Sequence, residues 1–327
     1  MIINLFRTRY FGQYVALLVF AVLLRIDGIL DHGMFSESPP GFRLEVLNEL
    51  ATGFPLFSAI LMALLLLIQA YFLNQVLENN RLTPLNQLLP AALYILMMSS
   101  GVVLLQPNAM MIVNLIMIIM LNIIFNFYGD QSPKSRAFDA GMMVGLASLL
   151  YFPVIWFVVF IWFSFLIYQN LTFRNFLIST IGATIPMLFA GVYFFWTDQF
   201  TMAFSRFSLH FTDIKPLLFK MDIYVIIIWS LFAMLFITGF SEVLRRITSN
   251  AIEIRRKFRV LVFFFLFALV TAIFAGSDLK FHLMLALIPL SSFLTAYLSH
   301  TKKLVLPEII IALILIAIFA GKFINLM

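Results

Sequence analysis

Residues 55–77 read PLFSAILMALLLLIQAYFLNQVL, without one charged side chain. As a helix at 1.5 Å per residue this run is about 34 Å long, enough to cross the hydrocarbon core of a bilayer. The pattern recurs along the chain. Apolar runs lie near 12–27, 56–77, 85–105, 110–127, 138–151, 153–168, 176–195, 223–240, 259–275, 282–298 and 304–322, eleven in all. Composition agrees, because 63% of the 327 residues are hydrophobic and 11% are charged, against about 45–50% and about 25% in soluble domains. A soluble enzyme, a disordered chain and a nucleic-acid-binding domain are excluded. The alternation of apolar and polar residues that an outer-membrane barrel needs is missing. The expected fold class is all-α, a polytopic transmembrane helical protein, with residues 1–327 forming one transmembrane domain.

Charge gives the expected orientation. With the N-terminus in the cytoplasm, 14 Lys and Arg fall on inner segments and 7 on outer ones, while acids divide 6 inside and 9 outside. The formal net charge of +6 thus reads mainly as a positive-inside signal. The first apolar run is expected to be an uncleaved span, since Arg25 and Asp27 stand where a signal peptide would carry small residues. One step is open. Residues 138–168 are either two short spans turning at Tyr151-Phe152-Pro153, a pair packed inside the protein or a re-entrant element, or one helix kinked at Pro153. One helix would flip all that follows and erase the inward bias. The hairpin is therefore preferred, giving eleven spans with the N-terminus cytoplasmic and the C-terminus periplasmic, in the bacterial inner membrane.

Two expected outer loops are too long to be turns, 25–55 and 196–222. The first holds Asp27, Asp31 and His32. Asp27 and Asp31 are four apart, so they share a face if the helix continues. Two carboxylates and an imidazole can bind a divalent metal ion or supply a general base. The plainer alternative is a hydrated helix end with Asp27 paired to Arg25. Residues 42–50, FRLEVLNEL, read as an amphipathic helix lying on the outer interface. The second loop interleaves aromatic rings with Arg206, His210, Lys215 and Lys220, and a short third loop adds Lys280 and His282. Cations beside apolar surface suit a lipid phosphate, and they equally suit plain interfacial snorkelling. His32, His210 and His282 are the candidate metal or acid–base histidines.

Within the spans, Asn114, Asn122 and Asn126 make a polar stripe suited to interhelical hydrogen bonds or, alternatively, to a substrate path. Gly141 and Gly145 make a small-xxx-small seam for close helix packing. The inner segment with Arg245, Arg246, Arg255, Arg256 and Lys257 is basic enough to hold anionic lipid headgroups, although orientation alone accounts for it. The absence of cysteine excludes disulfides, iron–sulfur clusters and thiolate zinc sites. Walker, GxSxG and HExxH motifs are also missing, and no haem or nucleotide site is expected.

These landmarks resemble the layout of C-type (GT-C) glycosyltransferases, which use polyprenyl-phosphate sugars. The resemblance rests on the acidic first outer loop from Asp27 to Glu49, on GMMVGLASLLYFP at 141–153 and on LKFHLMLALIPLSSFLTAYL at 279–298. The segment LIYQNLTFRNFLISTIGATIPMLFAGVYFF, 166–195, is similar to a family of multipass inner-membrane proteins of Bacteroidota that has no assigned activity. The GT-C likeness implies a membrane glycosyltransferase acting at the outer face. Asp27 or Asp31 would activate the acceptor hydroxyl, and Arg206, Lys215, Lys220 or Lys280 would hold the polyprenyl-phosphate carrier. Two other classes stand beside it. One is a non-catalytic membrane subunit of an envelope assembly or secretion machine, with other envelope proteins as partners. The other is a lipid or solute transporter.

Overall fold

The structure, a computed structural model, describes residues 2–30, 54–100, 108–127, 133–201, 204–205, 223–249, 251–273, 279–301 and 304–325. Among the described residues it is all-helical, with no strand. A short helix α1 (Ile2–Phe6) precedes α2 (Phe11–Leu30), α3 (Pro55–Asn79), α4 (Leu89–Met98), α5 (Met110–Phe125) and α6 (Pro133–Leu150). A 3-10 turn at Phe152–Trp156 leads into α7 (Phe157–Tyr168). Then come α8 (Phe173–Trp196), α9 (Ile223–Ser249), α10 (Ile252–Thr271), α11 (Leu279–Leu298) and α12 (Val305–Asn325). Each of the eleven apolar runs overlaps one of the helices α2–α12, although α4 takes up only Leu89–Met98 of the run at 85–105. Among the described residues, four segments are long and apolar enough to cross a membrane: Leu56–Asn79, Phe173–Trp196, Ile226–Arg245 and Phe281–Leu298.

Helix α11 is the central strut. Of its apolar window, 89% is buried, against 22% for α8. Every residue of α4 is buried too. The exterior is the reverse of a soluble protein's, with Leu64, Ile68, Leu188, Phe189, Val192, Ile237 and Ile316 among its exposed side chains. Contiguous apolar surface on this scale marks contact with lipid or partners.

The chain between α6 and α8 turns back on itself. A Cβ added to Gly141 would collide with the Ser179 carbonyl, one on Gly145 with that of Ala183, and one on Gly182 with that of Phe138. Residue numbers rise together on the two sides of this seam, so α6 and α8 run parallel. The only chain between them is the 3-10 turn and α7, which must return to the starting end. Asn170 Nδ2 donates to the Phe127 carbonyl at 3.4 Å, and Arg136 donates to that of Asn126, which fixes that end. Pro153 lies in the second position of the turn, where the N–H it lacks would have no helical partner. The reversal at Tyr151-Phe152-Pro153 and the glycine seam agree with the sequence reading.

One end of the bundle is tied together by links between remote segments. Leu88 N–H donates to the Phe6 carbonyl at 2.9 Å, and Gln87 Nε2 donates to Ser299 Oγ at 3.1 Å. Arg7 donates to the carbonyls of Leu298 and Thr301, the latter at 2.7 Å. The Leu298 carbonyl closes α11 and has no partner within that helix, and Thr301 lies in the turn just after it. Arg9 pairs with Glu78 at 3.0 Å and lies over the rings of Tyr14 and Tyr71. We call this the basic end and its opposite the distal end.

Candidate functional site

The distal end is where α2 finishes and α11 starts. Asp27 belongs to α2, although its side chain lies outside the described residues, and Lys280 is likewise placed only by its backbone in the first turn of α11. Asp31, His32, Arg206, His210, Lys215 and Lys220 all lie outside the described residues, as does the 42–50 segment. Two buried polar networks, on either side of the first turns of α11, are what the structure does show at this end.

The first centres on His282. Sequence reading puts this histidine on a short outer loop, but α11 already begins at Leu279, which draws the ring into the bundle, where it is fully buried. Nε2 lies 2.9 Å from the Ala268 carbonyl and 2.9 Å from Thr271 Oγ1, and Nδ1 lies 3.1 Å from the Tyr151 hydroxyl. A carbonyl only accepts, so Nε2 carries the proton. The Thr271 hydroxyl gives its own proton to the Phe267 carbonyl at 2.7 Å, so its oxygen also receives from Nε2. The Tyr151 hydroxyl then donates to Nδ1. Both ring nitrogens are engaged by protein, joining the end of α6 and the last turns of α10 to α11.

The second network lies across α11 from the first. Residues 282 and 284 are two apart, about 200° around a helix. Asn114 Nδ2 donates to the Met284 carbonyl at 3.3 Å and approaches the Tyr94 hydroxyl at 3.5 Å. The Tyr94 hydroxyl donates to Gln69 Oε1 at 2.9 Å, and Gln69 Nε2 donates to the Met111 carbonyl at 2.8 Å. Asn114 Oδ1 is buried with no hydrogen-bond partner among the described residues. Arg25 completes the group. Its side chain is 3% exposed, with Nη2 3.9 Å from the Met111 sulfur. A guanidinium inside an apolar bundle is expensive, and such groups are usually kept for function.

The polar stripe of α5 therefore divides. Asn114 bridges helices, whereas Asn126 Nδ2 only returns to the Asn122 carbonyl of its own helix at 2.8 Å and is exposed. Sequence reading gives Arg25 no role in a site, and it passes over Tyr94 and Gln69. A cation in the last third of an apolar run, two residues before Asp27, was the available signal for Arg25. Tyr94 and Gln69 carried none, because nothing local tells a membrane-facing polar residue from an interior one. Among the described residues no three His, Asp or Glu side chains come together as a metal site would require.

The comparisons with known proteins bear on the same helices. Residues 44–327 match the model of DUF6427, a family of unknown function. The chain belongs to DUF6427. The match takes in α3 to α12, with the whole His282 network and all of the second network except Arg25. Arg25 and Asp27 lie on α2, ahead of the matched region. No curated protein and no solved structure matches this DUF6427 chain.

Proposed function

We propose that this DUF6427 protein is a multipass protein of the bacterial inner membrane that transfers a sugar from a polyprenyl-phosphate carrier at the outer face. The observation that carries the reading is the buried Arg25 guanidinium. It is held at the distal end of the bundle, two residues before Asp27, where the acidic segment 25–55 begins. A guanidinium matches the geometry of a phosphate better than any other side chain. The inward bias of Lys and Arg supports eleven spans with the basic end in the cytoplasm, and the parallel course of α6 and α8 supports the hairpin on which that orientation depends.

In this reading Asp27 or Asp31 takes the proton of the acceptor hydroxyl. The acceptor oxygen bonds to the anomeric carbon of the donor sugar. The bond from that carbon to the carrier phosphate breaks, and the phosphate leaves with the electron pair. Arg25, with cations drawn from Arg206, Lys215, Lys220 and Lys280, holds the departing phosphate.

The test is complementation of a deletion strain with Asp27→Asn, Asp31→Asn and the double variant, with envelope glycans read by mass spectrometry and protein levels by immunoblot. The reading expects the altered glycans of the deletion strain to persist in the double variant at normal protein level. Full restoration by the double variant would overturn the catalytic role. Restoration together with co-purifying envelope proteins would move the assignment to a membrane subunit of an envelope machine.

A further inference from the structure

Helix α10 opens with the basic run Arg255, Arg256, Lys257 and Arg259, and the structure divides these four cations into two kinds. Lys257 is buried and pairs with Glu253 at 2.5 Å. Arg256 turns toward α7, donating to the Tyr168 carbonyl at 3.1 Å and to Gln169 Oε1 at 2.7 Å. Arg255 and Arg259 do neither. They are one helical turn apart on the same face, Arg259 is exposed and Arg255 half-exposed, and neither has a hydrogen-bond or ion-pair partner among the described residues. That face continues toward the distal end as Phe263, Leu266 and Val270, with Leu266 and Val270 exposed. Two guanidinium groups thus head an apolar stripe.

The neighbouring helix supplies a second wall. Phe163 of α7 stacks on Phe263 of α10, with ring centroids 6.0 Å apart and planes 19° from parallel, and it also touches Phe267 at 5.4 Å. Phe163 and Leu166 are exposed on the same side. The seam between α7 and α10 is therefore floored by aromatic rings and edged by Leu166 and Leu266. Its basic end is closed by three guanidinium groups and the Gln169 side chain.

We propose that this seam binds one anionic phospholipid, with its phosphate on Arg255 and Arg259 and an acyl chain along Phe163, Phe263, Leu166 and Leu266. The proposal rests on the chain being embedded in a bilayer and is independent of any activity at the distal end. Charge complementarity selects the occupant. Two unpaired cations at headgroup level attract a lipid with a net negative head over a zwitterionic one. Arg matches phosphate oxygens in pairs, and the apolar stripe gives the lipid what a free phosphate cannot use.

The full-length protein, purified in detergent, would be titrated with phosphatidylglycerol or with phosphatidylcholine of the same chains, and bound lipid counted by native mass spectrometry. The proposal expects phosphatidylglycerol to be retained and phosphatidylcholine lost. Arg255→Gln with Arg259→Gln should lower phosphatidylglycerol occupancy about tenfold or more, with an unchanged lipid-free melting temperature because both side chains are at the surface. Lys134→Gln, a change at an exposed cation at the start of α6, should leave occupancy as it was. Leu166→Trp, which fills the seam without altering charge, should also lower it. Equal retention of phosphatidylcholine, displacement by millimolar inorganic phosphate, retention by the double variant, loss in Lys134→Gln, or an unaffected Leu166→Trp would each overturn the proposal.

Discussion

The Tyr151 hydroxyl donates to His282 Nδ1 at 3.1 Å, joining the residue just after α6 to the first turns of α11 across 131 residues of sequence. Tyr151 is where the chain breaks out of α6 into the 3-10 turn. The central helix is thereby anchored to the reversal that lets α6 and α8 run parallel. The imidazole is held in its Nε2–H form by the Ala268 carbonyl and the Thr271 hydroxyl.

Tyr151→Phe removes the one proton directed at Nδ1 and leaves that nitrogen buried without its donor. The expected loss is about 1–3 kcal/mol, read as a lower melting temperature of the detergent-purified protein. His282→Leu removes the ring and leaves the Ala268 carbonyl without this donor, so it should cost as much or more. A melting temperature unchanged in both variants would mean that the network does not stabilise the fold.

The α6–α8 seam gives a sharper contrast. Gly141→Ala places a methyl group against the Ser179 backbone, which cannot swing aside as a side chain would. The helices must move apart, at a cost of about 1–3 kcal/mol from overpacking alone. Gly191→Ala, on the outer face of α8, meets nothing within 4 Å. It should be neutral or slightly stabilising, since Ala favours a helix over Gly by roughly 1 kcal/mol. Size-exclusion profiles and melting temperatures of the two variants would separate them, and equal behaviour would argue against close packing at Gly141.

What was legible in the sequence follows from how far each signal reaches. An apolar run carries its own evidence for a helix, and every one of the eleven runs has one. The break at Pro153 was legible because proline lacks the N–H that would continue the ladder, and the seam because Gly141 and Gly145 are four apart. The site was not legible in this way. Arg25, Gln69, Tyr94, Asn114 and Met284 come from five helices, and only the packing of those helices brings them together. His282 was placed on the wrong side of a helix start, because the first turn of α11 contains Lys280 and reads as loop. Asp31, His32, Arg206, His210, Lys215 and Lys220, on which the sequence reading of the two outer segments depended most, fall outside the described residues.

Asn114 tests whether the second network holds the bundle together. Asn114→Leu keeps nearly the same volume but leaves the Met284 carbonyl without its side-chain donor and ends the contact with Tyr94. The expected cost is about 1–3 kcal/mol, and Asn126→Leu, at an exposed position whose side chain bonds only within its own helix and whose backbone contact with Arg136 the change leaves in place, should cost far less. If the two variants melt together, Asn114 is not acting across helices.

The absence of cysteine makes sidedness directly measurable, because any thiol then reports only its own position. Ser135→Cys lies at an exposed position at the start of α6, near Arg136 and the basic end, which the positive-inside distribution assigns to the cytoplasm. Ser36→Cys lies in the acidic segment 25–55, assigned to the outer side. With a membrane-impermeant maleimide on intact spheroplasts, Ser36→Cys should be labelled at once and Ser135→Cys only after lysis. The opposite result would invert the protein and place Asp27, Asp31 and Arg25 at the cytoplasmic face, where an outward-facing transfer reaction could not use them. Labelling of both positions before lysis would mean an odd number of apolar helices between them is not crossing the bilayer. The described part of residues 37–134 contains α3, α4 and α5, so whether these three helices carry the chain from outside to inside is the step this experiment isolates.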